Sequence, residues 1–355
     1  MKQENKTLVI LTPAFPAHEY DENWVPSQQL FLCSVKKLFP GVNIIVLSFI
    51  YPFSAAHYYW HGTEVQSFDG KKYRKLKRPL LWRKVWKKLN EINKEQKISA
   101  MLSFWCGECA LVGHYFGKRY GIKHITWVCG QDARETNKLV KFIRPYPDEL
   151  VAKSDFLADE FYRNHRIRPS QIIPNGIEPS MFEISDKLRD IDVLAVGSLS
   201  GLKQYDIFIE IIAALRKKLP ALKAVLAGDG EERERLKKLA EDYHLLENLS
   251  MTGMLPPAEA IKLMQGAKVF LHPSSYEGFS MACLEALYAG AQVISFVKPM
   301  HHDIKNWHVV KTKEEMKQKT LEMLEKKKTL FEPVLVYTMD DSAAAMMNLL
   351  GFSPG

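Results

Sequence analysis

Apolar and polar positions alternate along this chain in two recurring patterns. Short continuous apolar runs occur at residues 7–11, 42–49, 98–104 and 125–128, interleaved with stretches of helical spacing at 26–38, 109–120 and 156–164. The runs predict strands buried on both faces, and the 3.6-residue spacing predicts amphipathic helices that cover them. A polar stretch opens at Pro174-Asn175-Gly176 and reaches Asp190, after which the alternation restarts. Strands are expected at 192–196, 223–227, 249–252, 269–272 and 292–296, and helices at 205–218, 231–243, 257–265 and 280–289. Such strand-helix alternation is the pattern of α/β domains with parallel sheets. No fixed period accompanies it, which excludes a solenoid. The expected organisation is two Rossmann-like domains, 1–172 and 173–332, followed by a last stretch, 333–355, with a helix at 340–350.

A length of 355 residues suits two such cores. Apolar residues make up 46% and charged residues 25%, with no low-complexity tract, so folding throughout is expected. The start is polar, its first apolar run is too short for a signal-peptide core, and no run of about 20 apolar residues occurs. A cytoplasmic protein with no spanning helix is expected. Five scattered cysteines, an odd number, argue for reduced thiols rather than a disulfide framework.

The net charge of +8 comes from one place. Residues 71–97 hold twelve Lys or Arg against Glu91 and Glu95, while the rest of the chain is close to balanced. Within that segment Trp82, Val85, Trp86, Leu89 and Ile92 recur at helical spacing. Two readings stay open: a basic amphipathic helix lying on an anionic membrane surface, or an ordinary helix whose tryptophans enter the core. No recognition motif accompanies the charge, so nucleic acid is not an expected partner.

In open parallel sheets, ligands bind beyond the carboxyl ends of the strands. The chemistry should therefore follow the strands of the second half. Val196-Gly-Ser-Leu-Ser-Gly-Leu-Lys203, Leu226-Ala-Gly-Asp-Gly-Glu, Thr252-Gly253-Met254 and His272-Pro-Ser-Ser-Tyr-Glu277-Gly-Phe-Ser-Met-Ala-Cys-Leu-Glu285 are all placed that way. Gly278, Phe279, Ser280 and Met281 present backbone N–H groups at a helix start, an anion site.

Together with Ile173-Pro-Asn-Gly-Ile-Glu178, these motifs resemble the family-4 retaining glycosyltransferases, well over residues 170–297 and loosely before them. The resemblance implies the GT-B fold, two Rossmann-like domains with parallel sheets facing an interdomain cleft, and a final helix packing back on the first domain. It implies a nucleotide-sugar donor, of the UDP or GDP kind, and a glycan or lipid-linked acceptor. It also implies transfer with retention and no cofactor or metal. By the same resemblance Glu285 takes the ribose hydroxyls and Glu277 bonds the donor sugar. Lys203 neutralises the leaving diphosphate, and Gly228, Gly253 and Met254 border the nucleotide. Two positions depart from the family: Ser198 stands where an Arg is usual, and Cys129 stands for the His of a sugar-facing loop whose Asp132 bonds a hydroxyl or caps a turn. These departures keep a catalytically silent sugar-nucleotide module in play. A second rival, a thiol-disulfide oxidoreductase, stands on Cys106-Gly-Glu-Cys109 alone. His301-His302-Asp303 lacks a second ligand cluster and is not read as a metal site.

Overall fold

The computed structural model describes residues 6–21, 24–182, 189–326 and 331–353. Of the polar stretch before Asp190, residues 183–188 lie outside the described residues. The chain divides into two compact units: Met1–Asn175 with Met339–Gly355, and Gly176–Thr338.

The first unit is built from β1 (Thr7–Ala14), α1 (Pro26–Leu38), β2 (Asn43–Tyr51), β3 (His57–Trp60), β4 (Thr63–Ser67), α2 (Arg78–Gln96) and β5 (Ile98–Phe104). There follow α3 (Glu108–Tyr120), β6 (Lys123–Val128), α4 (Leu139–Ile143), β7 (Leu150–Ala152), α5 (Asp155–His165) and β8 (Gln171–Ile172). The sheet runs β3-β4-β2-β1-β5-β6-β7-β8. Central β1 is apolar from Leu8 to Leu11 and buried along that run, which explains why it shows no alternation. Burying each such side chain contributes about 1.5–3 kcal/mol. Pro26 opens α1 where its missing N–H costs nothing, and Lys36 and Lys37 sit at the negative end of the helix dipole.

One strand departs from the expected parallel sheet. β3 runs antiparallel to β4 through a turn in which His61 and Gly62 both have positive φ, 42° and 71°, the geometry a two-residue hairpin demands. α2 packs on the core through Leu81, Val85, Leu89 and Ile92, with Trp82 and Trp86 partly buried against the same cluster. Trp86 meets Phe116 edge-on at 5.0 Å. The tryptophans thus belong to the core, and the exposed apolar side chains of the basic segment are Leu76 and Leu80.

The second unit comprises β9 (Ile191–Val196), α6 (Tyr205–Arg216), β10 (Ala224–Ala227), α7 (Arg233–Asp242), β11 (Leu249–Gly253), α8 (Pro257–Gly266) and β12 (Ala267–His272). It ends with α9 (Met281–Tyr288), β13 (Gln292–Ser295), β14 (Trp307–Val309) and α10 (Lys313–Glu325). Its sheet, β11-β10-β9-β12-β13-β14, is parallel throughout. The last helix, α11 (Met339–Leu350), belongs to the first unit. It buries Met346, Met347 and Leu350, packs beside α1, and Asp340 Oδ2 accepts from Lys37 Nζ at 2.6 Å.

Among the described residues no helix is long and apolar enough to cross a membrane.

Candidate functional site

The loops that leave β9 and β10 are locked together by backbone. Gly197 N–H donates to Ala227 O and Leu199 N–H to Asp229 O, at 3.0 and 2.9 Å. Gly228 has φ +144°, and a Cβ there would stand 1.9 Å from Gly197 O. Its lack of a side chain therefore serves loop-on-loop contact, a reason the sequence did not disclose. Ser198, Gly228 and Met254 line one concavity of about 210 Å³ with Val196, Asp229 and Leu255. Gly253 borders it, its carbonyl accepting from Gly228 N–H at 2.8 Å. Ser198 is exposed, so this end carries a hydroxyl and no cation of its own at that position.

The loop after β9 continues through a short 3-10 turn, Gly201–Lys203, and the loop after β12 comes to meet it. Ser275 N–H donates to Leu202 O at 3.2 Å, which brings Lys203 to Glu277 although 74 residues separate them. Lys203 Nζ lies 2.5 Å from Glu277 Oε2, each side chain 22% exposed. His272, the buried last residue of β12, reaches the same carboxylate oxygen from below at 3.2 Å. Burial alone would push the Glu277 carboxyl up, but the hydrogen bond from His272 and the Lys203 charge outweigh it and hold the group at about 2. Burial and the Lys203 charge lower the His272 imidazole, partly offset by Glu277. Sequence reading missed His272. Its signal was a lone polar residue closing an apolar run.

Beyond Glu277 the chain turns into α9. Ser280 caps it, its Oγ accepting from Cys283 N–H at 3.3 Å. Met281 opens the first turn, and Gly278 is buried beside it. The Phe279 ring is buried, stacking on Trp307 with centroids 6.2 Å apart, so only its backbone is available to a ligand. Glu285 lies further into the helix, partly buried, with no hydrogen bond or ion pair to its carboxylate among the described residues. Burial raises it from 4.5 to about 7. Tyr205 Oη, at the start of α6, and Ser274 Oγ, on the loop after β12, are buried without a protein partner. Two buried hydroxyls without a protein partner and a carboxyl raised by burial thus lie on the elements that carry this ion pair.

Residues 177–330 match the model of the family described as glycosyl transferases group 1. That match spans almost the whole of the second unit. The chain is 26% identical over 201 residues to the gpi3 subunit of the phosphatidylinositol N-acetylglucosaminyltransferase of Schizosaccharomyces pombe, covering 55% of this chain and 44% of that protein. It is 25% identical over 178 residues to a glycogen synthase of Mycobacterium tuberculosis, covering 49% and 43%. It thus spans less than half the length of these relatives. Anabaena HepE, solved in complex with UDP-glucose, superposes with a TM-score of 0.68 at 16% identity, over 95% of this chain and 94% of that one. The fold is GT-B.

The second unit holds all but one of the sequence-derived site residues. Asp132 belongs to the first unit, on a 3-10 turn after β6, buried, its Oδ2 accepting from Cys129 N–H at 2.7 Å. Burial pushes its carboxyl to about 7 against the pull of those backbone bonds and of Lys153. The thiol-disulfide reading is not favoured. Cys106 and Cys109 are buried at 0% and 3% exposure, and burial drives both thiols well above their ordinary range, opposite to what a redox nucleophile needs.

Proposed function

We propose that this protein is a glycosyltransferase that moves a sugar from a nucleotide-diphosphate-sugar to a glycan or lipid-linked acceptor, with retention and without a divalent metal. The observation that carries the reading is the Lys203–Glu277 pair at the carboxyl edge of the second sheet, with the first turn of α9 following it directly. A diphosphate entering there meets an ammonium and helix N–H groups, which supply the charge that a metal supplies elsewhere. Glu285 takes the ribose hydroxyls, and Glu277, released by Lys203, bonds the donor sugar. In the chemical step the bond from the anomeric carbon to the phosphate oxygen breaks as the bond to the acceptor oxygen forms on the same face. The departing phosphate oxygen receives the acceptor's proton. Asp132, committed to the Cys129 N–H, is assigned the shaping of its turn rather than a substrate contact.

The test is incubation with UDP- and GDP-sugars in the presence of a chelator, following donor hydrolysis and transfer and determining the product anomer by NMR. Turnover with retained configuration is expected. Inversion, or loss of activity on chelation, overturns the mechanism. Tight donor binding without hydrolysis or transfer favours the silent-module reading that Ser198 and Cys129 motivate.

With Trp82 and Trp86 packed in the core, we propose contact with an anionic membrane surface only through the charge of segment 71–97 and its exposed Leu76 and Leu80. Flotation with acidic vesicles should fall steeply with salt and be reduced by Lys87→Glu/Lys88→Glu, each lysine contributing about 1 kcal/mol. Indifference of the wild type to acidic vesicles at low salt overturns this placement.

A further inference from the structure

The first unit holds a charge that this mechanism leaves unused. β5, β6 and β7 are adjacent parallel strands, and the residues directly after them are Trp105, Cys129 and Lys153. Lys153 is only 8% exposed. Its Nζ rests over the Trp127 ring, 5.1 Å from the centroid, near the Cys129 thiol, whose pKa its charge lowers against burial. Among the described residues no carboxylate comes within ion-pair distance of it. Asp132, the nearby acid, is held to the Cys129 backbone instead. Lysines are almost never buried unless paired, because removing an ammonium from water is costly without a counter-ion. A thiol and a π-face replace that counter-ion poorly. Trp105, which donates its N–H to Trp127 O at 3.2 Å, adopts φ +69°, a left-handed conformation that a tryptophan holds at a cost. A buried unpaired cation and a strained residue thus share the edge of the sheet where α/β folds take their ligands.

We propose that Lys153 recognises an anionic substituent, a carboxylate or a phosphate, carried by one of the two substrates, and that the substrate supplies the missing counter-charge. The inference rests on the transferase reading, and it adds that this transferase handles an acidic sugar or an acidic acceptor. Calorimetry on matched pairs tests it. On the donor side the pairs are UDP-glucuronate against UDP-glucose and GDP-mannuronate against GDP-mannose. On the acceptor side, with UDP present, they are methyl glucuronide against methyl glucoside and glycerol 3-phosphate against glycerol.

In the wild type an acidic member should bind about tenfold or more tightly than its neutral partner. Lys153→Met should erase that preference without weakening the neutral ligand, and Lys153→Arg should keep part of it. A preference in the donor pairs assigns the anion to the transferred sugar; a preference in the acceptor pairs assigns it to the acceptor. No preference in any pair, or one that survives Lys153→Met, overturns the proposal. Lys153→Gln, which keeps a polar but uncharged side chain, serves should the methionine variant fail to fold. Loss of nucleotide binding on Glu285→Ala reports the transferase reading by itself, so the two failures are separable.

Discussion

At the carboxyl ends of β9 and β12 a lysine and a glutamate lie 2.5 Å apart, both about one-fifth exposed. At the end of β7 a lysine is buried more deeply and meets no carboxylate among the described residues. The same contrast recurs inside the second unit, where Glu277 is held at about 2 by its neighbours while Glu285, eight residues on, is left by burial at about 7. Charges the fold neutralises are ready without a ligand but must exchange partners to bind one. Charges it leaves uncompensated weaken the empty protein and repay that cost only when a ligand arrives.

The largest effect should come from breaking the compensated pair on its cationic side. Lys203→Ala is expected to lower turnover by about 10²–10³ while changing donor affinity much less, because its charge acts most as the diphosphate departs. Steady-state kinetics decide this: a raised KM with kcat intact would mean uniform binding instead.

Glu285→Gln sharpens the contrast from the other side. The native carboxyl is raised, so between pH 4.5 and 7 the folded protein binds more protons than the unfolded chain, and stability falls as pH rises through that window. Removing the charge should stabilise the protein at pH 8 by on the order of 3 kcal/mol, with the gain vanishing near pH 4.5. Donor affinity should drop at the same time, by roughly 1.5–3 kcal/mol for the lost charged acceptor. Thermal melts across pH, together with calorimetry, read both; a variant that melts like the wild type at pH 8 removes the uncompensated-charge argument.

The smallest effect is expected for Glu277→Gln, which turns Lys203 into an ammonium without a carboxylate, as Lys153 is. UDP should bind more tightly, by about 1 kcal/mol, although transfer is slowed. Weaker UDP binding would show that the glutamate positions Lys203 rather than competing for it.

How much of this was legible before the structure differs by element. α1 and β5 match their sequence patterns residue for residue, because long apolar faces declare their period. The β3–β4 hairpin was missed, since half of β3 is exposed and its turn uses a histidine at positive φ. β7 was missed because three residues, Leu150 to Ala152, carry no period at all, and Lys153 was overlooked with it. The approach of Lys203 to Glu277 depends on a hydrogen bond between loops, which no local pattern encodes. Resemblance singled out the two residues, but not that they pair with each other.

The placement of α11 sets an order on synthesis. The second unit is continuous in sequence, whereas the first closes its core only with Met346, Met347 and Leu350. Translation proceeds from the N-terminus and domains generally fold as units. The first unit therefore emerges first yet cannot finish without α11, whereas the second unit needs nothing made after Thr338. A chain truncated after Thr338 should accordingly resist protease in the second unit and yield in the first.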